Sequence, residues 1–252
     1  MQTIIIQKEN KEFIYDFCYE AYQSFSYLNW YHGKKYKIKF LSIKQLTDLY
    51  YEPQLENTIC IGSIEFIHLV LIRLNVQIPK PINVPPELGI SKFGTIKDLT
   101  FPCFIKPTDE IKLFDGTVIE NKEQFKLIPE LKSDTRLLIQ GVQNYLSEYR
   151  CFVYKGKLMG IKHYQGDFEL FPELDYIKWC INNYKNSPIA YTIDFGIVVA
   201  ERNNLLHVTK LIEVHNFYSC GTYGFGGKEL AYMLIDSWNE LLNNNRPFNT
   251  IK

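Results

Sequence analysis

Two carboxylates, Asp194 and Glu213, sit inside apolar strand-like runs, "YTIDFGIV" and "KLIEVH". A lone charge in such a run is costly unless something answers it. The runs belong to two longer stretches, "AYTIDFGIVV" and "LLHVTKLIEVH", which read as a hairpin. A two-residue turn at Asn203-Asn204, both residues that tolerate positive φ, would set Asp194 directly opposite Glu213. Strand alternation adds His215 to the same face. Carboxylates paired across a sheet repel unless a cation or a proton lies between them. Magnesium suits that position, because it takes a few carboxylates together with substrate phosphates. A shifted register would instead leave both carboxylates solvated.

A second hairpin-like pattern supplies the opposite charge. "EYRCFVY" turns at "KGK" into "LMGIKHY", with Glu148 and Arg150 two apart on one strand and Lys162 on the return. A three-residue turn over 155–157 pairs Arg150 with Lys162. A two-residue Lys155-Gly156 turn, which local turn chemistry favours, puts them on opposite faces. Facing cations imply an anion between them; separated cations imply surface charge. Two more lysines stand in "FPCFIKPTDEIKLFDG": Lys106 leaves an apolar strand, and Lys112 precedes "FDG". A Lys-x-Asp-Gly motif would suggest a covalent nucleotidyltransferase. The interval from Lys112 to Asp115-Gly116 is one residue too long for it.

The elements that position these groups follow from periodicity and turn chemistry. "TIIIQ", "YKIKFL" and "TICIG" read as strands. Residues 10–28 repeat apolar side chains at helical spacing, and Ser63 caps a second helix, "SIEFIHLVLIRLN". This is a small α/β unit. "IPKPINVPPELG", with four prolines, ends it at Gly89. Beyond come a strand at 101–106, a strand at 117–119, a helical stretch at 121–131 and a strand at 136–140. The two hairpins follow, separated by a helix near 172–186, and a final helix comes after 228.

Composition narrows the partners. The chain has 252 residues, and 28 Lys and Arg balance 28 Asp and Glu. No global field draws it onto nucleic acid or an anionic membrane, so neither is expected as a partner. "YHGKKYKIK" is a local basic run, read as a solvated loop and strand edge. Six cysteines lie far apart with no C-x-x-C pair, which argues against a zinc ribbon and for small buried hydrophobes in a reducing compartment. The isoleucines of "MQTIIIQKENKEF" read as a strand and not a signal peptide, and no apolar run approaches the length of a membrane span. A cytoplasmic location is expected.

The order strand–Lys106-Pro107, Glu148-x-Arg150, Lys162, Asp194, Glu213-x-His215 resembles the ATP-grasp superfamily. More narrowly it resembles the divergent clade in which lysine replaces a phosphate-contacting arginine, proposed to modify peptides or proteins. "GSIEFI" and the prolines after it look like that clade's opening segment. "PCFIKPTDEIKLFDG" looks like its lysine-bearing lid, and "LIEVHNFYSCGTYGF" like its Glu-x-Asn loop with a glycine-rich tail. The first hairpin is also similar to that of ribosomal-protein glutamate ligases. The resemblance spans roughly residues 58–240, and it is the order and spacing together that are specific.

The resemblance implies an α+β ATP-grasp fold. A pre-ATP-grasp α/β domain would fill 1–89 and the ATP-grasp domain 90–252, with a lid at about 90–140 and the metal-bearing part at about 141–252. It implies ATP as ligand. Lys106 and Lys112 would grip phosphates as point charges, and Glu148 would accept from ribose hydroxyls. Backbone near Gln140–Val142 would hold adenine. Arg150 and Lys162 would stabilise the transferring phosphoryl group, while Asp194 and Glu213 hold magnesium.

One position departs from the pattern. The family's asparagine ligand is His215 here, with Asn216 beside it. Either Asn216 substitutes, or preference shifts toward manganese, or a second metal site is weakened. The activity implied is an ATP-dependent ligase joining a carboxylate, activated as an acyl phosphate, to an amine or other nucleophile, with a protein among the acceptors considered. A non-catalytic ATP-binding assembly factor and a covalent nucleotidyltransferase are the alternatives.

Overall fold

The computed structural model describes residues 1–48, 55, 57–89, 92–109, 113–200 and 203–245. Three short strands, β1 (Gln2–Gln7), β2 (Tyr36–Leu41) and β3 (Thr58–Ile61), form a parallel sheet with β1 in the centre. Ile4, Ile5 and Ile6 are all buried, as a continuous apolar run requires when both faces of a strand are covered. Helix α1 (Asp16–Tyr31) buries Cys18, Ala21, Phe25 and Leu28, one stripe at helical spacing. It starts later than the periodicity predicts. Asn10 and Lys11 have φ of 48° and 70°, inside a turn closed by paired backbone bonds between Glu9 and Glu12, and so cannot be helical. A short α2 (Ile43–Thr47), opened by a Ser42–Gln45 capping box, was not expected. Helix α3 (Ile64–Arg73) begins where Ser63 predicts, its hydroxyl accepting from Phe66 N at 3.2 Å.

The lid is a small antiparallel sheet. Strands β4 (Lys92–Gly94), β5 (Cys103–Pro107), β6 (Thr117–Ile119) and β7 (Leu137–Gln140) run in the order β4-β7-β5-β6. Their core is modest: Cys103, Ile105, Ile119, Leu137 and Ile139. Strand β4 was not expected, and the helical stretch predicted at 121–131 is a single 3-10 segment, Lys122–Leu127, capped by Asn121.

The central sheet carries the hairpins: β8 (Ser147–Tyr154) with β9 (Lys157–Gly166), and β10 (Ala190–Ala200) with β11 (Asn203–Asn216). The spatial order is β11-β10-β8-β9, all antiparallel. Helix α4 (Leu174–Asn183) covers one face, packing Ile177, Cys180 and Ile181 on Cys151, Val153, Tyr191, Ile193 and Phe195. The alternate residues, Arg150, Phe152, Thr192 and Asp194, therefore face the other way.

The final helix, α5 (Gly227–Asn245), does not stay with this sheet alone. Ala231, Trp238 and Leu241 join the core of the first parallel sheet, with Tyr218 just before them. The proline-rich stretch expected at the boundary is also engaged. Asn83 bridges to Val214, whose N–H donates to the Asn83 carbonyl at 2.8 Å. All six cysteines are free thiols, and no helix among the described residues is long and apolar enough to cross a membrane.

Candidate active site

Hairpin register decides the site, and in both hairpins bulges decide the register. In β8–β9 the turn is the two-residue Lys155-Gly156, with φ of 51° and 70°. Turn chemistry alone would then separate Arg150 from Lys162. The ladder shifts between Phe152 and Val153, however, leaving Met159 unpaired, and Arg150 comes to face Lys162. A two-residue turn and a facing pair coexist, an outcome that neither simple hairpin allows. In β10–β11 the expected turn at Asn203-Asn204 is not formed. Asn203 already lies in β11 opposite Ala200, and two further irregularities follow along the ladder. The second, between Asp194 and Phe195, leaves Ile212 unpaired and sets Asp194 opposite Glu213.

Because β10 also pairs with β8, placing Asp194 opposite Arg150, one row crosses four strands. It reads Glu213, Asp194, Arg150, Lys162: two anions, then two cations. Asp194 is only 1% exposed and Arg150 8%. The guanidinium donates to both carboxylate oxygens, Nε to Oδ1 at 2.9 Å and Nη2 to Oδ2 at 2.7 Å, and its Nη1 donates to the Gly221 carbonyl at 3.1 Å. Burial alone would lower the affinity of Arg150 for its proton, but Asp194 more than offsets that, so the pair is fully ionic. The tyrosine rings of Tyr223 and Tyr164 flank the guanidinium, with centroids 5.2 and 5.9 Å away.

At the anionic end the lid contributes. Lys106, leaving β5, sets its Nζ on Glu213 Oε2. His215 Nε2 lies 2.7 Å from Glu213 Oε1 and 3.9 Å from Asp194 Oδ2, close but not aligned as a hydrogen bond. Burial pushes the Glu213 carboxyl up, yet His215 and Lys106 together outweigh it and hold the group well below the usual carboxylate range. The two carboxylates are thus answered by Arg150 and Lys106 rather than left to repel.

One ligand atom each from Asp194, Glu213 and His215 lies within 4.8 Å of the others. Two hard oxygen donors and a buried imidazole nitrogen with no aligned partner fit a divalent cation, and the imidazole widens the choice from magnesium to manganese. Asn216 turns its amide elsewhere, donating to the Lys80 carbonyl at 3.1 Å. Of the two side chains considered for the ligand position, His215 is the one beside the carboxylates.

A cavity of about 390 Å³ opens between the lid sheet and β11. Phe104, Lys106, Leu138 and Gln140 line its lid side, and Ile212, Glu213 and His215 line the other. Asp115 and Gly116 reach it too, while Lys112 lies outside the described residues. Val142 is exposed past the end of β7, and its carbonyl accepts from Gln143 Nε2 at 3.1 Å. Glu148 accepts from Tyr164 Oη at 2.7 Å. Burial, followed by the charges of Asp194 and Glu148, pushes the Tyr164 phenol far up, so it remains a neutral donor. Sequence reasoning did not find Tyr164, Gly221 or Tyr223. Tyr164 is itself a bulge residue, between the Glu148–Gln165 and Tyr149–His163 pairs, so simple alternation misplaces it. The basic run 31–39 belongs to the end of α1 and to β2, where Lys34, Lys35, Lys37 and Lys39 are exposed.

A lid sheet and a larger antiparallel sheet enclosing a cavity, with lysine from one facing carboxylates from the other, define an ATP-grasp fold. Residues 87–233 match the family described as the ATP-grasp domain of the arginine-to-lysine clade, family 2, and the chain belongs to that family. Solved structures agree on the fold. N5-carboxyaminoimidazole synthetase from Staphylococcus aureus aligns with a TM-score of 0.54 at 12% identity, over 94% of this chain and 77% of that one. The ATP-grasp ligase PsnB complexed with minimal precursor aligns with a TM-score of 0.50 at 11% identity, over 94% and 99%. No curated protein sequence matches the chain.

Proposed function

We propose that the protein is an ATP-dependent ligase that activates a carboxylate as an acyl phosphate for attack by an amine or another nucleophile. The observation that carries this reading is the row Glu213, Asp194, Arg150, Lys162, with Lys106 reaching it from the lid. A substrate carboxylate oxygen would attack the γ-phosphorus of ATP, the bond to the bridging oxygen would break, and ADP would leave. The amine nitrogen would then attack the acyl carbon, expelling inorganic phosphate and losing a proton.

Each role follows from where charge is available. Lys162 makes no ion pair among the described residues, so it is the free cation of the row and would meet the transferring phosphoryl group. Arg150, held rigid by Asp194 and Gly221, would stabilise the same group beside it. Lys106 would exchange Glu213 for phosphate oxygens, and Lys112 would approach the phosphates from the lid. Gln140 and backbone to Val142 would bind the base, and Glu148 the ribose. Asp194, Glu213 and His215 would hold magnesium or manganese, which when bound neutralises phosphate charge and orients the nucleotide. A peptide or protein is the first acceptor class to test, since PsnB was solved with a precursor.

The test is turnover of ATP with magnesium or manganese against pools of amino acids and peptides, read by mass spectrometry. ADP, phosphate and a dehydrated conjugate are expected. Arg150→Ala and Lys162→Ala should lower turnover far more than ATP binding, because they act where charge develops. A lysine-linked AMP would replace this reading with nucleotidyl transfer. An ATP-dependent rise in Tm without any product would replace it with a nucleotide-gated clamp.

A further inference from the structure

The segment between β11 and α5 passes over Arg150 as a strap. Gly221 accepts from Arg150 Nη1, and the Tyr223 ring lies over the guanidinium and stacks on Tyr164 at 5.0 Å and 19°. Tyr223 has φ of 48° and is followed by Gly224 at 77°, so the strap bends through consecutive left-handed residues. That conformation is costly for a tyrosine and persists only when its surroundings hold it.

What holds it is a single oxygen from the opposite end of the chain. Asp16, in the first turn of α1, accepts with Oδ2 from Thr222 N at 3.0 Å, Thr222 Oγ1 at 3.1 Å and Tyr223 N at 2.9 Å. Thr222 is 2% exposed, so water does not readily replace that oxygen. Asp16 belongs to the first unit and Arg150 to the central sheet, and the strap is the connection between them.

We infer that Asp16 is a positioning residue for Arg150: it fixes the strap whose Gly221 carbonyl and Tyr223 ring set the guanidinium in place. What Arg150 then does rests on the ligase reading above. Asp16 touches neither the row nor the cavity, so its effect on turnover passes through the strap alone. The same carboxylate also sits where a helix N-terminus favours negative charge, and the two roles separate in variants. Asp16→Asn loses the charge but keeps one carbonyl oxygen as acceptor, whereas Asp16→Ala loses both.

The experiment measures ADP formation against ATP concentration, together with backbone hydrogen exchange over 219–226. Asp16→Ala should lower kcat about tenfold with KM for ATP changed less than about twofold, and should speed exchange at Thr222 and Tyr223. Asp16→Asn should restore at least about half of kcat and most of the protection. Wild-type kcat in Asp16→Ala would overturn the inference. So would equal losses in both variants, which would mark helix stabilisation only. If Asp16→Ala does not fold, Tyr223→Ala deletes the ring while keeping its backbone bond to Asp16, and should lower kcat in the same manner; an unchanged kcat there overturns the inference too. If the wild type turns over no ATP, the ligase reading fails by itself, and exchange decides. Faster exchange in Asp16→Ala than in Asp16→Asn supports the strap, and equal exchange sinks it.

Discussion

The two hairpins of the central sheet are built alike and charged oppositely. Each uses a bulge to turn a pair of ionic side chains toward one another, at Met159 in β8–β9 and at Ile212 in β10–β11. Their inner members, Arg150 and Asp194, neutralise each other across the β8–β10 ladder and are buried. Their outer members differ. Glu213 has Lys106 from the lid and His215 beside it, while Lys162 has no ionic partner among the described residues. The row is therefore satisfied at its anionic end and open at its cationic end. An incoming polyphosphate finds free positive charge at Lys162 and a lysine at Glu213 that can change partners.

Breaking the inner pair should have the largest effect, and an unequal one. Asp194→Asn leaves a buried guanidinium that cannot shed its charge, so it should cost about 3–5 kcal/mol in unfolding free energy and abolish turnover. Arg150→Met leaves a carboxyl that can take up a proton instead, and should cost less. Urea titrations of both variants at one pH test the order. Equal losses would mean that the pair is better solvated than its exposure indicates.

Removing the bulge attacks the cationic hairpin alone. Deletion of Met159 should let the two-residue turn dictate the whole ladder and send Lys162 to the face that carries α4. Turnover should fall about a hundredfold, while stability drops by about 1–3 kcal/mol, because β9 is an edge strand. A variant with wild-type turnover would show that Lys162 is not needed on the site face.

That bulge also marks the limit of what the sequence discloses. Carboxylates inside apolar strands identified Asp194 and Glu213, and turn residues identified Lys155-Gly156, because both are local signals. The register between them is not local. Gly160, opposite Phe152 at the bulge, lies where a Cβ would meet the Phe225 ring at 2.9 Å, so packing from a distant loop accompanies the shift. The pairing of Asp194 with Glu213 was expected from a turn that does not form and arises from two irregularities instead. The Arg150–Asp194 ion pair depends on β8 lying next to β10, which no hairpin rule predicts. Asp16 is further still from local rules, being 206 residues from Thr222. The strands, α3 and the lid lysine were legible; contacts between units were not.

Lys162→Met tests the open end of the row directly. It keeps most of the apolar stem and deletes the charge. With no ion pair to lose, stability should stay within about 0.5 kcal/mol of wild type. Turnover should fall about tenfold to a hundredfold with ATP affinity changed only slightly. A large loss of stability would reveal a partner for Lys162 and remove the contrast between the two ends.

The smallest effect concerns how the cationic hairpin's turn is anchored. Asp236 on α5 accepts from Tyr154 Oη at 2.7 Å and pairs with Lys155 Nζ at 2.8 Å, tying the β8–β9 turn to the final helix. Partial burial would raise the Asp236 carboxyl, but Lys155 and Tyr154 outweigh it and hold it below its ordinary value of 3.8. A depressed folded pKa contributes stability above the unfolded value, and the contribution is lost as pH falls through the folded one. Lys155 is 56% exposed, so solvent screening keeps the contribution small. Asp236→Asn should cost under about 1 kcal/mol at pH 7. The difference from wild type should shrink as pH falls below about 4. Urea midpoints at both pH values measure it. A difference that persists undiminished at low pH would mean that Asp236 acts through the Tyr154 hydrogen bond alone, and that the exposed lysine contributes nothing to anchoring the hairpin.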